Sequence, residues 1–237
     1  MFDERYSQDL SLFNGLHLIT LVVLFTILTL VIIFKDYFKD PKRDRLFRYT
    51  LASLLVITES GFHIWVLYNS GYTYDMIPLT GFCATTNILT IIALFTNNRK
   101  LASISIYYAL IGSFFALFFA DITYGFPHFR YFSFFIVHFG FLLGNVYLYV
   151  QDKLYIRRKY TNITIVLLLS QTAVLLILDL ILEKNWFYFI ESPVKEISDF
   201  FGAPWYTILW ILTIYGMVEG SYFLLRKLRK PQQDENI

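Results

Sequence analysis

Apolar runs of near-constant length alternate with short polar stretches along the whole chain. Seven such runs stand out: Leu16–Phe34, Phe47–Tyr68, Ile77–Thr96, Ser103–Ala120, Tyr131–Val150, Ile163–Leu182 and Trp205–Leu225. Each is close to the roughly 20 residues that a helix needs to cross the hydrocarbon of a bilayer. The connections between them are short and leave no room for a soluble domain. The pattern predicts an all-α polytopic membrane protein, seven transmembrane helices in a single integral membrane domain over residues 1–237. No internal repeat, low-complexity tract or linker interrupts it.

Composition agrees. Of 237 residues, 57% are hydrophobic and 20% aromatic, while only 16% are charged. A soluble domain carries about 25% charged residues. The first run follows Asp3, Glu4 and Asp9, lacks a basic leader and has no small-residue cleavage site, so it reads as a retained helix. A single cysteine, Cys83, excludes an intrachain disulfide.

Charge sets the expected orientation. Lys35, Lys39, Lys42, Arg43, Arg45, Arg48, Arg99, Lys100, Lys153, Arg157, Arg158, Lys159, Arg226, Lys227, Arg229 and Lys230 fall at one set of helix ends. Only Arg5, Arg130, Lys184 and Lys195 fall at the other. Basic residues stay on the cytoplasmic side. The expectation is an outside amino terminus and a cytoplasmic carboxyl terminus, which seven spans satisfy. The basic ends suit anionic headgroups of the inner leaflet, and nothing points to a nucleic-acid partner.

Polar side chains inside apolar runs are costly, so each needs a reason. The competing reading for any one of them is hydrogen bonding between helices or snorkelling. Thr80, Cys83, Asn87 and Thr90 recur at helical spacing and share one face of the third helix. Glu59 and His63 are four apart on the second. Tyr131, Phe134, His138, Phe141 and Asn145 form one stripe on the fifth, within the aromatic stretch GFPHFRYFSFFIVHFGF, with Pro127 expected in its first turn. At about 1.5 Å of rise per residue, Cys83, His138, Glu59 and His63 all lie roughly 8–14 Å below the outer surface. A thiol, an imidazole and a Glu/His pair thus share one layer. Elsewhere, Glu219 suits a salt bridge near the basic carboxyl end. His17 is expected at the interface, and Asp121 and His128 as caps. Gly112 and Gly140 are expected to permit close helix contact.

A buried thiol becomes a nucleophile when a base takes its proton, and histidine is the usual base. A carboxylate can orient an imidazole and stabilise its cation. At this depth such a group meets the ester carbonyls of lipids, so acyl transfer through a thioester is a natural reaction. The same residue types also suit zinc, though only the Glu/His pair has tight ligand spacing, and no metal or other cofactor is called for. A non-enzymatic carrier or lipid-binding protein, and a scaffold whose polar groups only join helices, remain alternatives.

The segment ALIGSFFALFFADITYGFP, continuing through FPHFRYFSFFIVHFG, resembles the YwaF-type bacterial integral membrane proteins. That family is similar to a eukaryotic multispanning phospholipid acyltransferase family. IPLTGFC on the third helix resembles the family's Leu-Pro-Leu-His-Leu-Cys segment. EKNWFYFIESP and FFGAPWYTILW resemble its Asn-Tyr-x-Tyr-Leu segment and the start of its last helix. Here the histidine before the cysteine is absent and the spacing from Pro78 to Cys83 is one residue longer. The resemblance implies seven spans in a bacterial plasma membrane and phospholipids as acyl donor and acceptor. It also implies Cys83 as the acylated nucleophile and His138 as its base; by their shared layer, Glu59 and His63 are then expected to support the site. Asn87, His128, Arg130, Asn145 and Asn185 are then the substrate-binding candidates, with Arg130 suited to a phosphate headgroup.

The charge partition generates a test. In a Cys83→Ala background, cysteines placed at Ser70 and Ser192 should react with an impermeant thiol reagent on intact cells, and one at Gln233 should not. Labelling at Gln233 alone would reverse the orientation.

Overall fold

The computed structural model describes residues 11–71, 81–120, 122, 124–185, 188–192 and 195–229. The positions Asp3, Glu4, Arg5, Asp9, Ile77, Pro78, Thr80, Asp121, Lys230 and Gln233 named above lie outside them. Every regular element among the described residues is helical: α1 Gly15–Ile33, α2 Pro41–Ser70, α3 Phe82–Thr96, α4 Arg99–Phe118, α5 Phe129–Val150, α6 Arg158–Leu182, α7 Lys195–Phe201 and α8 Trp205–Leu228. A short 3₁₀ turn, Lys35–Lys39, joins α1 to α2. Among the described residues, six helices are long and apolar enough to span a bilayer. The exception among the seven expected spans is α3, whose helix has 15 residues. The sequence reading starts it at Ile77, but Gly81 is extended (φ −115°, ψ 136°) and serves as the cap of a helix that begins at Phe82.

Local chemistry explains the boundaries. Asp40 caps α2, its carboxylate accepting from the N–H groups of Lys42 and Arg43 at 3.1 and 3.0 Å, with Pro41 in the first turn. That cap starts α2 six residues ahead of the apolar run. Two asparagines make the whole connection between α3 and α4. Asn97 closes α3 in the left-handed region (φ 52°), and the Asn98 side chain caps α4 through the N–H groups of Lys100 and Leu101. Pro127 does not enter α5 as expected. It sits in the preceding turn, and His128 takes the cap position, Nδ1 accepting from Arg130 N–H at 3.0 Å.

Contacts divide the chain into two units, Met1–Leu154 and Tyr155–Ile237. In the first, α4 and α5 are interior: 67% of the most apolar 18-residue window of each is buried, against 17% for α1. The exposed leucines, isoleucines and valines of α1 suit contact with lipid. Gly140 lets α5 approach α2, since a Cβ there would lie 2.6 Å from Leu55 Cδ2. His17, in the first turn of α1, is fully buried, because two backbone groups claim its ring. Nδ1 accepts from Phe13 N–H at 3.0 Å and Nε2 donates to the Leu117 carbonyl at 2.9 Å. In the second unit, Arg158 on α6 holds Glu219 on α8 with two nitrogens, one at 2.8 Å, as its place near basic residues suggests. In the first turn of α8, Tyr206 and Thr207 donate to the carbonyls of Tyr188 and Phe189, each at 2.7 Å.

A charged cluster not anticipated from the sequence ties the first unit together at one end. Asp44 of α2 accepts from Arg48 Nε at 3.1 Å, from Tyr147 Oη of α5 at 2.7 Å and from Lys153 Nζ at 3.1 Å. Arg48 also donates to the Leu94 carbonyl of α3. Asp44 and Arg48 are 7% and 6% exposed. Removing one member of such a cluster leaves the others charged and unpaired, which costs more than the intact cluster contributes. Asp44→Ala should therefore destabilise the protein by about 3 kcal/mol, and Tyr147→Phe by about 2 kcal/mol, both read from thermal unfolding in detergent.

Candidate functional site

At the other end of α2, α3 and α5 a cavity of about 150 Å³ opens among Glu59, Phe62, His63, Cys83, Ala84, Arg130, Ser133, Phe134, Val137 and His138. All four residues placed in one layer by helical rise line it together. Glu59, Phe62 and His63 come from the second half of α2, Cys83 and Ala84 from the first turn of α3, and the rest from the first half of α5. That volume admits a small group and not a whole lipid.

Each polar group is held in a distinct way. His138 Nδ1 faces the Phe134 carbonyl at 2.7 Å. A carbonyl only accepts, so Nδ1 carries the proton and Nε2 keeps its lone pair. The ring lies against Phe134 and Phe141, centroids at 4.2 and 5.4 Å. Cys83 is half-buried and packs against Ala109, Val137 and Phe141. His63 Nε2 lies 3.4 Å from Glu59 Oε1, and Glu59 Oε2 accepts from Asn87 Nδ2 at 3.2 Å. Arg130 lies over the Phe62 ring, with Cζ 3.9 Å from its centroid, and makes one long contact to Ser133 Oγ at 3.5 Å. No carboxylate oxygen lies within 4 Å of this guanidinium among the described residues, although the Glu59 carboxylate of the same cavity attracts it through space. A half-buried guanidinium without a direct ion pair is suited to an anionic ligand.

The remaining sequence candidates sit elsewhere. Asn87 is buried behind the cavity wall, against Glu59. Asn145 is fully buried and joins α5 to α3, donating to Thr90 Oγ1 at 2.8 Å and to the Phe141 carbonyl at 2.9 Å. His128 caps α5 and stacks on Tyr124, centroids 4.5 Å apart. Asn185, in the second unit, closes a turn by donating to the Glu191 carbonyl at 2.7 Å and accepting from Ile190 N–H at 3.1 Å. Phe62 and Ser133 were missed, because an aromatic residue and a serine among so many carry no pattern of their own. Only the meeting of α2 and α5 reveals their contact with Arg130. Among the described residues no three His, Cys, Asp or Glu side chains come together in a group that could hold a metal ion.

Residues 12–218 match the model of one protein family. The chain belongs to the TMEM164 family. The matched range takes in the whole cavity and both units as far as α8. Together with the long apolar helices, membership of the TMEM164 family makes this a multi-pass membrane protein. No curated protein and no solved structure matches the chain.

The carboxylate between His63 and Asn87 allows a test of what holds the site together. Glu59→Gln keeps a partner for the Asn87 amide and should unfold within about 1 kcal/mol of wild type. Glu59→Leu strands that buried amide and should cost about 1–3 kcal/mol in the same thermal measurement.

Proposed function

We propose that this TMEM164 family protein is a membrane-embedded phospholipid acyltransferase or transacylase that works through an acyl-thioester on Cys83. The observation that carries the reading is the shared cavity. A thiol, a histidine whose tautomer leaves Nε2 its lone pair, and an arginine with no direct ion pair among the described residues all line it. In the first half-reaction Cys83 Sγ gives its proton to His138 Nε2 and attacks the ester carbonyl of a donor lipid. Collapse of the tetrahedral adduct breaks the ester C–O bond, and His138 returns the proton to the departing lysolipid oxygen. In the second half, His138 Nε2 takes the proton of an acceptor lysolipid hydroxyl as its oxygen bonds to the thioester carbon, the C–S bond breaks, and His138 returns the proton to the sulfur of Cys83. Arg130 grips the phosphate that every phospholipid carries near its glycerol esters. The volume of the cavity supports the idea that only the ester region enters, with acyl chains left in the surrounding lipid. The charge partition favours the outer leaflet, with the amino terminus outside, and the sequence resemblance implies a bacterial plasma membrane.

Purified protein in mixed micelles with phospholipid should carry an acyl mass that neutral hydroxylamine removes. Cys83→Ala should abolish both the adduct and transfer between lipids. His138→Ala should slow transfer by about 10²–10⁴-fold, the usual cost of losing a general base. Well-folded Cys83→Ala protein that transfers acyl chains at the wild-type rate would refute the covalent mechanism.

A further inference from the structure

Two opposite charges line the cavity without meeting. Glu59 and Arg130 attract each other through space, yet no carboxylate oxygen comes within ion-pair distance of the guanidinium among the described residues. Where the dielectric is low, such an attraction is strong, and two flexible side chains left to themselves close on one another. Here each charge is held by neighbours of its own. The carboxylate is held on α2 and α3: Glu59 Oε2 accepts from Asn87 Nδ2 at 3.2 Å, and Oε1 lies 3.4 Å from His63 Nε2. The guanidinium is held by aromatic rings. Phe62, one turn beyond Glu59 on α2, lies against it with Cζ 3.9 Å from the ring centroid. Trp65, one turn beyond that, has its centroid 5.9 Å from Cζ.

A ring holds a cation through its face and the quadrupole behind it. It therefore uses none of the five N–H groups that lie in the plane of the guanidinium. Of those, Nη1 makes the long contact to Ser133 Oγ at 3.5 Å. The position of Arg130 adds to the argument. It stands in the first turn of α5, at the positive end of the helix dipole. The helix gives a cation there no stabilisation, whereas an anion beside it is favoured by the guanidinium and the dipole together.

We infer that Phe62 is the positioning residue of Arg130: its ring keeps the guanidinium off Glu59, so that the anion site stays open for the phosphodiester of a lipid headgroup. This rests on the reading of Arg130 as the phosphate-binding group and not on the thioester step. Without the ring, the guanidinium closes on the carboxylate. A lipid phosphate must then break that pair before it binds.

The test uses the full chain in detergent micelles, in a Cys83→Ala background so that binding is read without turnover. The probe is radiolabelled dihexanoyl phosphatidylcholine. Phe62→Leu should weaken its binding about 10-fold, and Phe62→Tyr, which keeps a ring face, should bind it as the parent does. Glu59→Gln removes the competing charge, so Phe62→Leu combined with Glu59→Gln should recover most of the affinity. A mere packing defect would show no such recovery. If Phe62→Leu does not fold, Phe62→Met, unbranched and without a ring, makes the same comparison. Parental affinity in Phe62→Leu, or a loss that Glu59→Gln does not restore, would overturn the inference. Binding that is absent in the parent, or unchanged by Arg130→Gln, would overturn the phosphate reading of Arg130 and this inference with it. The expected pattern of binding, together with no acyl adduct on protein that keeps Cys83, would support the inference and overturn the acyl-thioester reading alone.

Discussion

Asp44 carries a carboxylate into the interior of the first unit, and side chains from three parts of the chain meet it there. Arg48 comes from the next turn of α2, Tyr147 from the last turns of α5, and Lys153 from the segment beyond. Through Arg48 the cluster also reaches the Leu94 carbonyl near the end of α3. A charge in a medium of low dielectric must be matched closely, so the ends of three helices have little freedom relative to one another. The net stabilisation from such a cluster is small. Its effect is on geometry: the helices are pinned at one end, and space between them is left for the other.

The cavity takes up that space. Glu59 lies fifteen residues from Asp44 along α2, about 22 Å at the rise of an α-helix. Between the two lie the close approaches that keep the interior dry, with Gly140 under Leu55 and Gly144 against Leu94 and Thr90. The polar groups inside this stretch are paired across helices, as Asn145 is with Thr90 and Thr90 with Ser105. Charge therefore collects at the two ends of the three-helix core and neutral hydrogen bonds at its middle.

How much of this could be read from the amino-acid sequence depends on the range of the signal. Helix positions were legible because twenty-residue apolar runs are a local property. The meeting of Glu59, His63, Cys83 and His138 in one cavity was legible as a depth, since rise per residue is fixed, but not as a convergence of faces, which packing decides. Asn87 and Asn145 share the helical spacing of the site yet serve the core, because spacing alone does not tell a residue at the cavity from one behind it. The burial of His17 was not legible, since nothing in its neighbourhood announces the Leu117 carbonyl a hundred residues away. The Asp44 cluster was missed for a similar reason: Arg48 and Lys153 were read only as part of a basic, cytoplasmic rim, and nothing local joins Asp44 and Tyr147 to them.

The two-residue link between α3 and α4 has a consequence for chain length. Cys83 faces the cavity, Asn87 faces Glu59 and Thr90 faces Asn145, all from one helix that runs without slack into Asn97 and Asn98. Each added residue in a helix turns everything beyond it by about 100°. An insertion or deletion between Cys83 and Asn98 has no loop to absorb it, and would swing the thiol off its face while leaving every side chain's identity intact. Over these residues the count carries as much structural information as the composition.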